Sequence, residues 1–225
     1  MKDRNFLVIG GLALVTALAL LVLWGGPSLA DIVGSKHDLR YYPNLETPAT
    51  QFVCVYCHTP HHANTDPRLV PTYLWNRNVR QTDYAVYDAT WTNPLPQNTA
   101  HTLMCMSCHD GTTTAIGQFL NPPFDYNHTQ DNVYVTGDAD LTENGTELQN
   151  DHPIDLVYAT PPLPSDYFFS ADQITGWGFR LFNFGTNTNV MTCATCHEPH
   201  AKNTHGPLLR NLTSGRGLCQ SCHNL

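Results

Sequence analysis

Apolar residues are unevenly distributed along this chain. Residues Phe6–Trp24 form one long apolar run, whereas later apolar residues occur in short groups separated by Pro, Gly, Asn, Asp and Thr. Neither the spacing of an amphipathic helix nor the alternation of a long strand is sustained in that later part. The pattern predicts a mostly irregular coil with short helices and small β-hairpins, and it makes a conventional hydrophobic core doubtful.

The segment Asn121–Val190 is rich in residues that form turns. Three short runs within it have a β-like composition and predict small hairpins: Val133–Thr136, Ile154–Tyr158 and Phe179–Phe184. We expect the segment to be a loop region that joins the parts of the chain on either side of it.

The first 30 residues resemble a secretory leader. Lys2 and Arg4 precede the apolar run, and Ser28–Ala30 provides a cleavage site with small residues. The apolar run is longer than the usual ~7–15 residues, so a retained membrane anchor is the alternative. Because Gly25–Pro27 interrupts the helix where cleavage needs an extended chain, we predict a signal peptide over residues 1–30 and a mature protein over 31–225.

The charge balance bears on possible partners. The chain has 11 basic and 19 acidic residues, a net charge of −8. Without Lys2, Asp3 and Arg4 the mature part has 9 basic and 18 acidic residues, a net charge of −9. A protein this acidic has little attraction to phosphate backbones, so we expect no nucleic-acid partner.

All eight cysteines belong to four C-x-x-C-H motifs. This motif is typical of c-type haem attachment, in which two thiols bind the porphyrin and the histidine binds the iron. A zinc site or a disulfide framework also uses paired cysteines, but neither needs a histidine after every second one. The sequence therefore predicts four haems c, attached at Cys54, Cys57, Cys105, Cys108, Cys193, Cys196, Cys219 and Cys222, with proximal ligands His58, His109, His197 and His223.

Each motif is predicted to be a helical turn, because cysteines at positions i and i+3 must face the same porphyrin edge. Four haems are large apolar plates around which side chains can pack. We therefore expect the haems themselves to form the core of the mature domain.

The mature chain is an internal repeat. The run C-H-x-P-H occurs at Cys57–His61 and again at Cys196–His200, and each copy is followed by similar residues, Leu74–Asn78 and Pro207–Asn211. Each copy then reaches a plain C-x-x-C-H, and each has a lone histidine upstream. The mature domain is thus predicted to contain two dihaem repeats, about 31–120 and 150–225, joined by a haem-free loop region.

Four haems need eight axial ligands. Methionine is the less suitable second ligand, because Met104, Met106 and Met191 lie beside or inside the motifs. The repeat selects one lone histidine and one C-H-x-P-H histidine in each copy, which predicts His37, His61, His152 and His200 as distal ligands. We expect solvent or propionate contacts for the others: His62, His101, His128 and His205.

His61 and His200 cannot reach the far side of the haem beside them. Each lies three residues after a motif histidine, and the intervening proline directs it away. The sequence therefore predicts that His200 binds the second haem. By the same reasoning His61 binds the fourth haem of a neighbouring copy, unless His62 or His205 completes that haem internally.

These features resemble the multihaem cytochromes c with doubled CxxCH motifs. In particular, the chain resembles the tetrahaem secreted cytochromes of metal-reducing and related microbes that form extracellular conductive filaments. The matching segments are Ser35–Leu39, Cys54–Asn64, Leu74–Arg77, Cys105–Thr112, Asp151–Ile154, Cys193–His200 and Leu218–Asn224. The resemblance implies a continuous chain of bis-histidine haems with little regular secondary structure. The departures from it are residues 121–190 and the additional His62.

The sequence thus predicts a non-enzymatic electron conduit. We expect a homopolymeric filament outside the cell or at its surface, which exchanges electrons with partner cytochromes or extracellular acceptors. A periplasmic shuttle with the same haems is one alternative. A multihaem reductase is another, but it would need an iron with an open position.

Overall fold

The regular structure of this protein consists of short elements. The computed structural model describes residues 32–42, 47–69, 73–89, 92–114, 116–127, 129, 132–142, 147–158, 166–201, 208–210 and 214–224. Ile32–Leu225 forms one compact unit. The predicted signal peptide lies outside the described residues, and within them no helix is long and apolar enough to cross a membrane.

Three α-helices and several single turns of 3-10 helix are present in the described chain. The helices are α1 (Ala100–His109), α2 (Ala171–Gly176) and α3 (Cys193–Cys196). The 3-10 turns are Leu39–Tyr41, Val53–Tyr56, Pro67–Leu69, Gly137–Ala139 and Cys219–Ser221.

The longest helix, α1, is fixed at its start by polar contacts. Thr99 caps it by accepting a hydrogen bond from the Thr102 backbone N–H. The buried carboxylate of Asp155 accepts further bonds from the Thr99 hydroxyl (2.7 Å) and the Thr102 hydroxyl (2.9 Å). Leu103 and Met106 are fully buried on the same helix. The C-terminal turn of α1, which contains the second C-x-x-C-H motif, therefore has a firm support.

A small antiparallel sheet leads into the third motif. Its strands are β3 (Leu156–Val157), β4 (Phe182–Phe184) and β5 (Asn187–Met191), with β5 in the centre. A separate parallel pair joins β1 (Ala85–Val86) to β2 (Glu147–Leu148). Because β5 ends two residues before α3 begins, the sheet positions Cys193.

Buried apolar side chains of the described residues form three clusters rather than one core. The first surrounds α1: Leu69, Val79, Tyr84, Ala100, Leu103, Met106 and Leu148. The second lies against the sheet: Leu156, Tyr158, Ile174, Phe179, Met191 and Cys222. The third lies beside the first motif: Ala49, Tyr56, Ile116 and Val135. Their separation agrees with the absence of apolar periodicity, and a haem core stays a prediction.

The predicted hairpins are partly confirmed. The strands β3 and β4 lie within two of the three predicted runs, and both pair with β5. The third run, Val133–Thr136, makes only an isolated bridge between Tyr134 and Thr114. The central strand β5 was not predicted, because its asparagines at 187 and 189 are typical of turns rather than strands.

Candidate haem sites

Each C-x-x-C-H motif forms the predicted helical turn. The histidine N–H donates to the carbonyl of the first cysteine, over 2.9 Å for His58, 3.1 Å for His197 and 2.9 Å for His223. In the second motif, the same residues lie on the last turn of α1. This turn brings the two thiols of a motif to one side, as attachment to one porphyrin requires.

Backbone carbonyls fix the motif imidazoles. The Nδ1 atom of His58 lies 2.7 Å from the Tyr73 carbonyl oxygen, and that of His109 lies 2.7 Å from the Ala139 carbonyl oxygen. An Nδ1–H that donates to a carbonyl leaves Nε2 unprotonated, which is the form that binds a metal. Burial lowers the pKa of His58 and of His223, which also favours the neutral ring.

Six histidines form three facing pairs. Each pair joins a motif histidine to one that the sequence predicts as a distal ligand. The ring centres are 6.2 Å apart for His37 and His109, 6.1 Å for His58 and His200, and 6.3 Å for His152 and His223.

These separations fit an iron between the rings. An imidazole nitrogen binds a transition metal at about 2 Å. In a ring with bonds of about 1.35 Å, the nitrogen lies about 1.2 Å from the ring centre. Two imidazoles on opposite sides of one metal therefore have centres about 6.4 Å apart. The paired histidines fit bis-histidine coordination, although the ligand assignment itself stays a prediction.

His37 is the most enclosed of the predicted distal ligands. It hydrogen-bonds to the Pro199 carbonyl, and burial together with nearby His109 lowers the pKa of His37 to about 4. Its ring is therefore neutral near pH 7, as metal binding requires. The contact with Pro199 also connects the first repeat to the C-H-x-P-H run of the second.

His61 differs from the paired histidines in its exposure. Its side chain is exposed. Its carbonyl, in contrast, accepts hydrogen bonds from the Thr59 hydroxyl (2.8 Å) and the Asn121 side-chain amide (3.0 Å). The chain thus holds the His61 backbone in place while the imidazole points outward.

The ring of His101 is held between two hydroxyl groups. Its Nδ1 lies 3.1 Å from the Thr192 hydroxyl and its Nε2 lies 3.1 Å from the Tyr73 hydroxyl. Burial, with Arg210 nearby, lowers the pKa of His101 to about 4. With both nitrogens engaged, this ring links the two repeats. His62 is exposed, and His128 and His205 lie outside the described residues.

The thiols of successive motifs lie near one another. Cys105 hydrogen-bonds with Cys193, and Cys108 is close enough to Cys57 to contribute to raising the pKa of that thiol. Cys196 likewise interacts with Cys219. None of the eight cysteines is in a disulfide. The four motifs therefore follow one another in chain order.

The two C-H-x-P-H segments are held by equivalent contacts. Thr59 N donates to the Leu74 carbonyl over 2.8 Å, and Glu198 N donates to the Leu208 carbonyl over 2.7 Å. Leu74 and Leu208 both have a positive φ, 53° and 55°. The two segments therefore share these backbone contacts, and the division of the chain into two dihaem repeats stays a prediction.

The contacts also correct the alignment of the repeats by one residue. Asn76 N donates to Cys57 O and Arg210 N donates to Cys196 O, each over 2.8 Å. Asn76 is therefore the equivalent of Arg210, whereas matching Leu74 with Pro207 would have paired Arg77 with Arg210. Short polar segments carry too little pattern to fix their register from sequence.

Sequence reasoning missed an ion pair that supports His200. Glu198 Oε2 lies 2.6 Å from Arg210 Nη1, and Glu198 Oε1 lies 3.5 Å from His200 Nδ1. The sequence offers one indication of this ion pair, because position 198 is Glu whereas the equivalent position 59 is Thr.

The second motif ends in a tightly built turn. The buried Asp110 carboxylate accepts hydrogen bonds from the backbone N–H groups of Thr112 (3.0 Å) and Thr113 (2.7 Å). Gly111 has φ +62°, and a Cβ there would lie 2.1 Å from an oxygen of Asp140. Only glycine fits this position, which is why the motif reads C-H-D-G-T.

The family model for the doubled CXXCH motif matches residues 187–224, which contain the third and fourth motifs. No curated protein matches the chain. Residues 187–224 therefore form a doubled CXXCH element, which binds c-type haem and is typical of electron-transport proteins.

Proposed function

We propose that this protein carries four c-type haems with two axial histidines each, and that it transfers electrons as the repeating subunit of an extracellular filament. The observation that carries the proposal is the set of three imidazole pairs with ring centres 6.1–6.3 Å apart. A haem with two axial imidazoles supplies outer-sphere electron transfer and offers no open position to a substrate. This coordination favours a conduit over a reductase.

Repeat equivalence supports the polymer. His37 with His109 and His152 with His223 are the same pairing in the two repeats. The ring of His200 faces His58, in the first motif of the preceding repeat, and not the second haem as the sequence argument expected.

The equivalent of His200 is His61, which belongs to the first of the two repeats. The equivalent receiver is the third motif, that of His197, in another copy. Because His152 faces His223, we place His61 at the third haem of a neighbouring copy rather than at the fourth.

A contact of this kind is head-to-tail and does not need a closed ring. Each copy presents His61 at one end and accepts a neighbour's His61 at the other, so the contact propagates into a filament. The exposed His61 ring and its anchored backbone suit such a joint.

Intact mass is the first test. The matured protein should exceed its polypeptide by four haems. A smaller increment would contradict the four-haem proposal whatever its state of assembly.

Substituting His61→Ala tests the polymer. We expect loss of filaments in electron micrographs, and one haem that becomes high-spin in the absorption spectrum. The matched control is His62→Ala, an adjacent exposed histidine that should leave filaments and spin state unchanged. Four low-spin haems in His61→Ala would contradict this joint and point instead to an internal ligand such as His205. Absence of filaments in the wild type as well would favour a monomeric periplasmic shuttle.

A further inference from the structure

Arg77 is a buried cation with no counter-ion among the described residues. It is 1% exposed, and its Nε, Nη1 and Nη2 atoms have no hydrogen-bond partner among the described residues. Its backbone is engaged, because Asn64 donates to the Arg77 carbonyl over 2.8 Å and the residue bridges to Phe119. The chain therefore holds Arg77 firmly but leaves its head group unsatisfied.

Three other arginines, in contrast, form ion pairs with carboxylates of the chain. Arg40 and Arg68 form ion pairs with Asp38 and Asp66, both at 2.7–2.8 Å. Arg210, which is also enclosed, bonds to Glu198. A guanidinium stays protonated in proteins, and burying an unpaired charge costs several kcal/mol. The Arg77 site therefore requires an anion, and the part of the chain that the structure describes supplies none.

Arg77 lies between the first two motifs. The preceding residue, Asn76, donates to the Cys57 carbonyl over 2.8 Å. One residue earlier, the Trp75 ring donates to the Ser107 hydroxyl of the second motif over 3.2 Å. The charge of Arg77 also acts against the rise in the pKa of Cys57. The buried guanidinium is thus placed where two attachment sites meet.

We propose that Arg77 binds a propionate carboxylate of the first or second haem. Each haem has two carboxylates, and the planar guanidinium fork matches a carboxylate in a bidentate pair. The inference rests on the proposed haem content. A fixed positive charge beside a haem favours the reduced iron, so Arg77 should raise the potential of the haem that it contacts.

The variants are Arg77→Gln, Arg77→Lys and, as the control, Arg80→Gln, which removes an equal charge from a residue that bonds to Thr82. The intact mass of each protein is measured first. A wild-type mass that lacks haem would contradict the proposed function rather than the proposed contact of Arg77. With four haems present, Arg77→Gln should shift a propionate bending mode in the resonance Raman spectrum and lower one haem potential. Arg77→Lys should give a smaller shift, and Arg80→Gln none.

Redox titration followed by EPR identifies the haem. The imidazole planes are 26° apart for His58 and His200, at the first haem, and 52° apart for His37 and His109, at the second, so the two ferric signals should differ. Raman modes and potentials in Arg77→Gln equal to those of Arg80→Gln would overturn the proposal.

If Arg77→Gln does not mature, a structure of the wild-type protein with its haems bound tests the proposed contact of Arg77. Propionate oxygens within hydrogen-bond distance of the guanidinium nitrogens are expected. Water, an inorganic ion or a protein carbonyl in that place would overturn the proposal.

Discussion

The two C-H-x-P-H segments have nearly the same sequence and backbone contacts, yet their last histidines have different surroundings. His200 faces His58, with Glu198 and Arg210 beside it. His61 is exposed, and the equivalent of Glu198 is Thr59, whose hydroxyl donates to the His61 carbonyl and accepts from the Asn121 amide. One motif can thus direct its last histidine toward another part of the chain in one copy and toward the surface in the other.

The second motifs of the two repeats also differ. That of the first repeat ends the ten-residue helix α1, whereas that of the second is a single 3-10 turn, Cys219–Ser221. Phe169 N bonds to Cys222 O (3.0 Å) and Asn224 N bonds to Tyr167 O (2.8 Å), so backbone pairing supports the shorter element. The turn of a C-x-x-C-H motif can therefore be supported by a capped helix or by a neighbouring extended segment.

Substituting His200→Ala should give the largest effect. The first iron would lose its imidazole inside the chain, so isolated subunits should show one more high-spin haem than isolated wild type, in which only the third iron lacks the neighbour's His61. In His61→Ala the missing ligand comes from another copy, so isolated subunits should match the wild type. Absorption spectra of dilute subunits test the difference; equal spectra for His200→Ala and wild type would contradict the pairing with His58.

Substituting Asp155→Ala should destabilise the protein by about 3 kcal/mol. The change removes the acceptor of the Thr99 and Thr102 hydroxyls and of one Asn98 amide N–H, and each buried donor left unpaired costs ~1–3 kcal/mol before relaxation. Denaturant unfolding measures the loss. Asp172→Ala, at an exposed position in α2, is the control and should change the free energy of unfolding by less than about 0.5 kcal/mol.

The same carboxylate predicts a pH dependence. Burial raises the pKa of Asp155, although hydrogen bonds from Thr99 act against the rise. A carboxyl with a raised folded pKa takes up a proton more readily in the folded state. Its contribution is therefore present at low pH and lost as the pH rises through the raised value. The Asp155→Asn variant should lack that slope when unfolding is measured across the acidic range.

Substituting Glu198→Gln should have a smaller effect, about 2 kcal/mol. The change leaves Arg210, whose side chain is 9% exposed, without its ion-pair partner. Thr59→Ala, the equivalent change in the first repeat, removes one hydrogen bond to the His61 carbonyl and should cost about 1 kcal/mol. Equal losses in denaturant unfolding would contradict the different support of the two histidines.

The last prediction concerns spectra and needs no substitution. The imidazole planes are 26° apart for His58 and His200 but 76° apart for His152 and His223. Near-parallel planes split the iron d orbitals strongly, and near-perpendicular planes do not. The ferric EPR spectrum should therefore contain one rhombic signal and one signal with a single large g value. Identical signals would contradict these angles.

Local features could be predicted from the sequence, and long-range ones only partly. The helical turn of each motif follows from two cysteines and a histidine that are neighbours in the chain. The repeat indicated which histidines are candidate distal ligands. It did not indicate that His200 would face His58, because that depends on how two distant segments pack. Arg77 appeared only as part of a repeated segment, since burial without a counter-ion has no signature in one sequence.

The left-handed backbone at Leu74 affects which substitutions the first haem site can tolerate. A leucine with φ 53° is strained by about 1 kcal/mol, and this bend accompanies the approach of the Tyr73 carbonyl to the His58 ring. Because the acceptor is a main-chain atom, the choice of side chain at position 73 need not alter the tautomer of His58. For the tautomer of His58, position 74 is therefore the more constrained of the two, because glycine or asparagine would adopt the bend more easily and a β-branched residue would resist it.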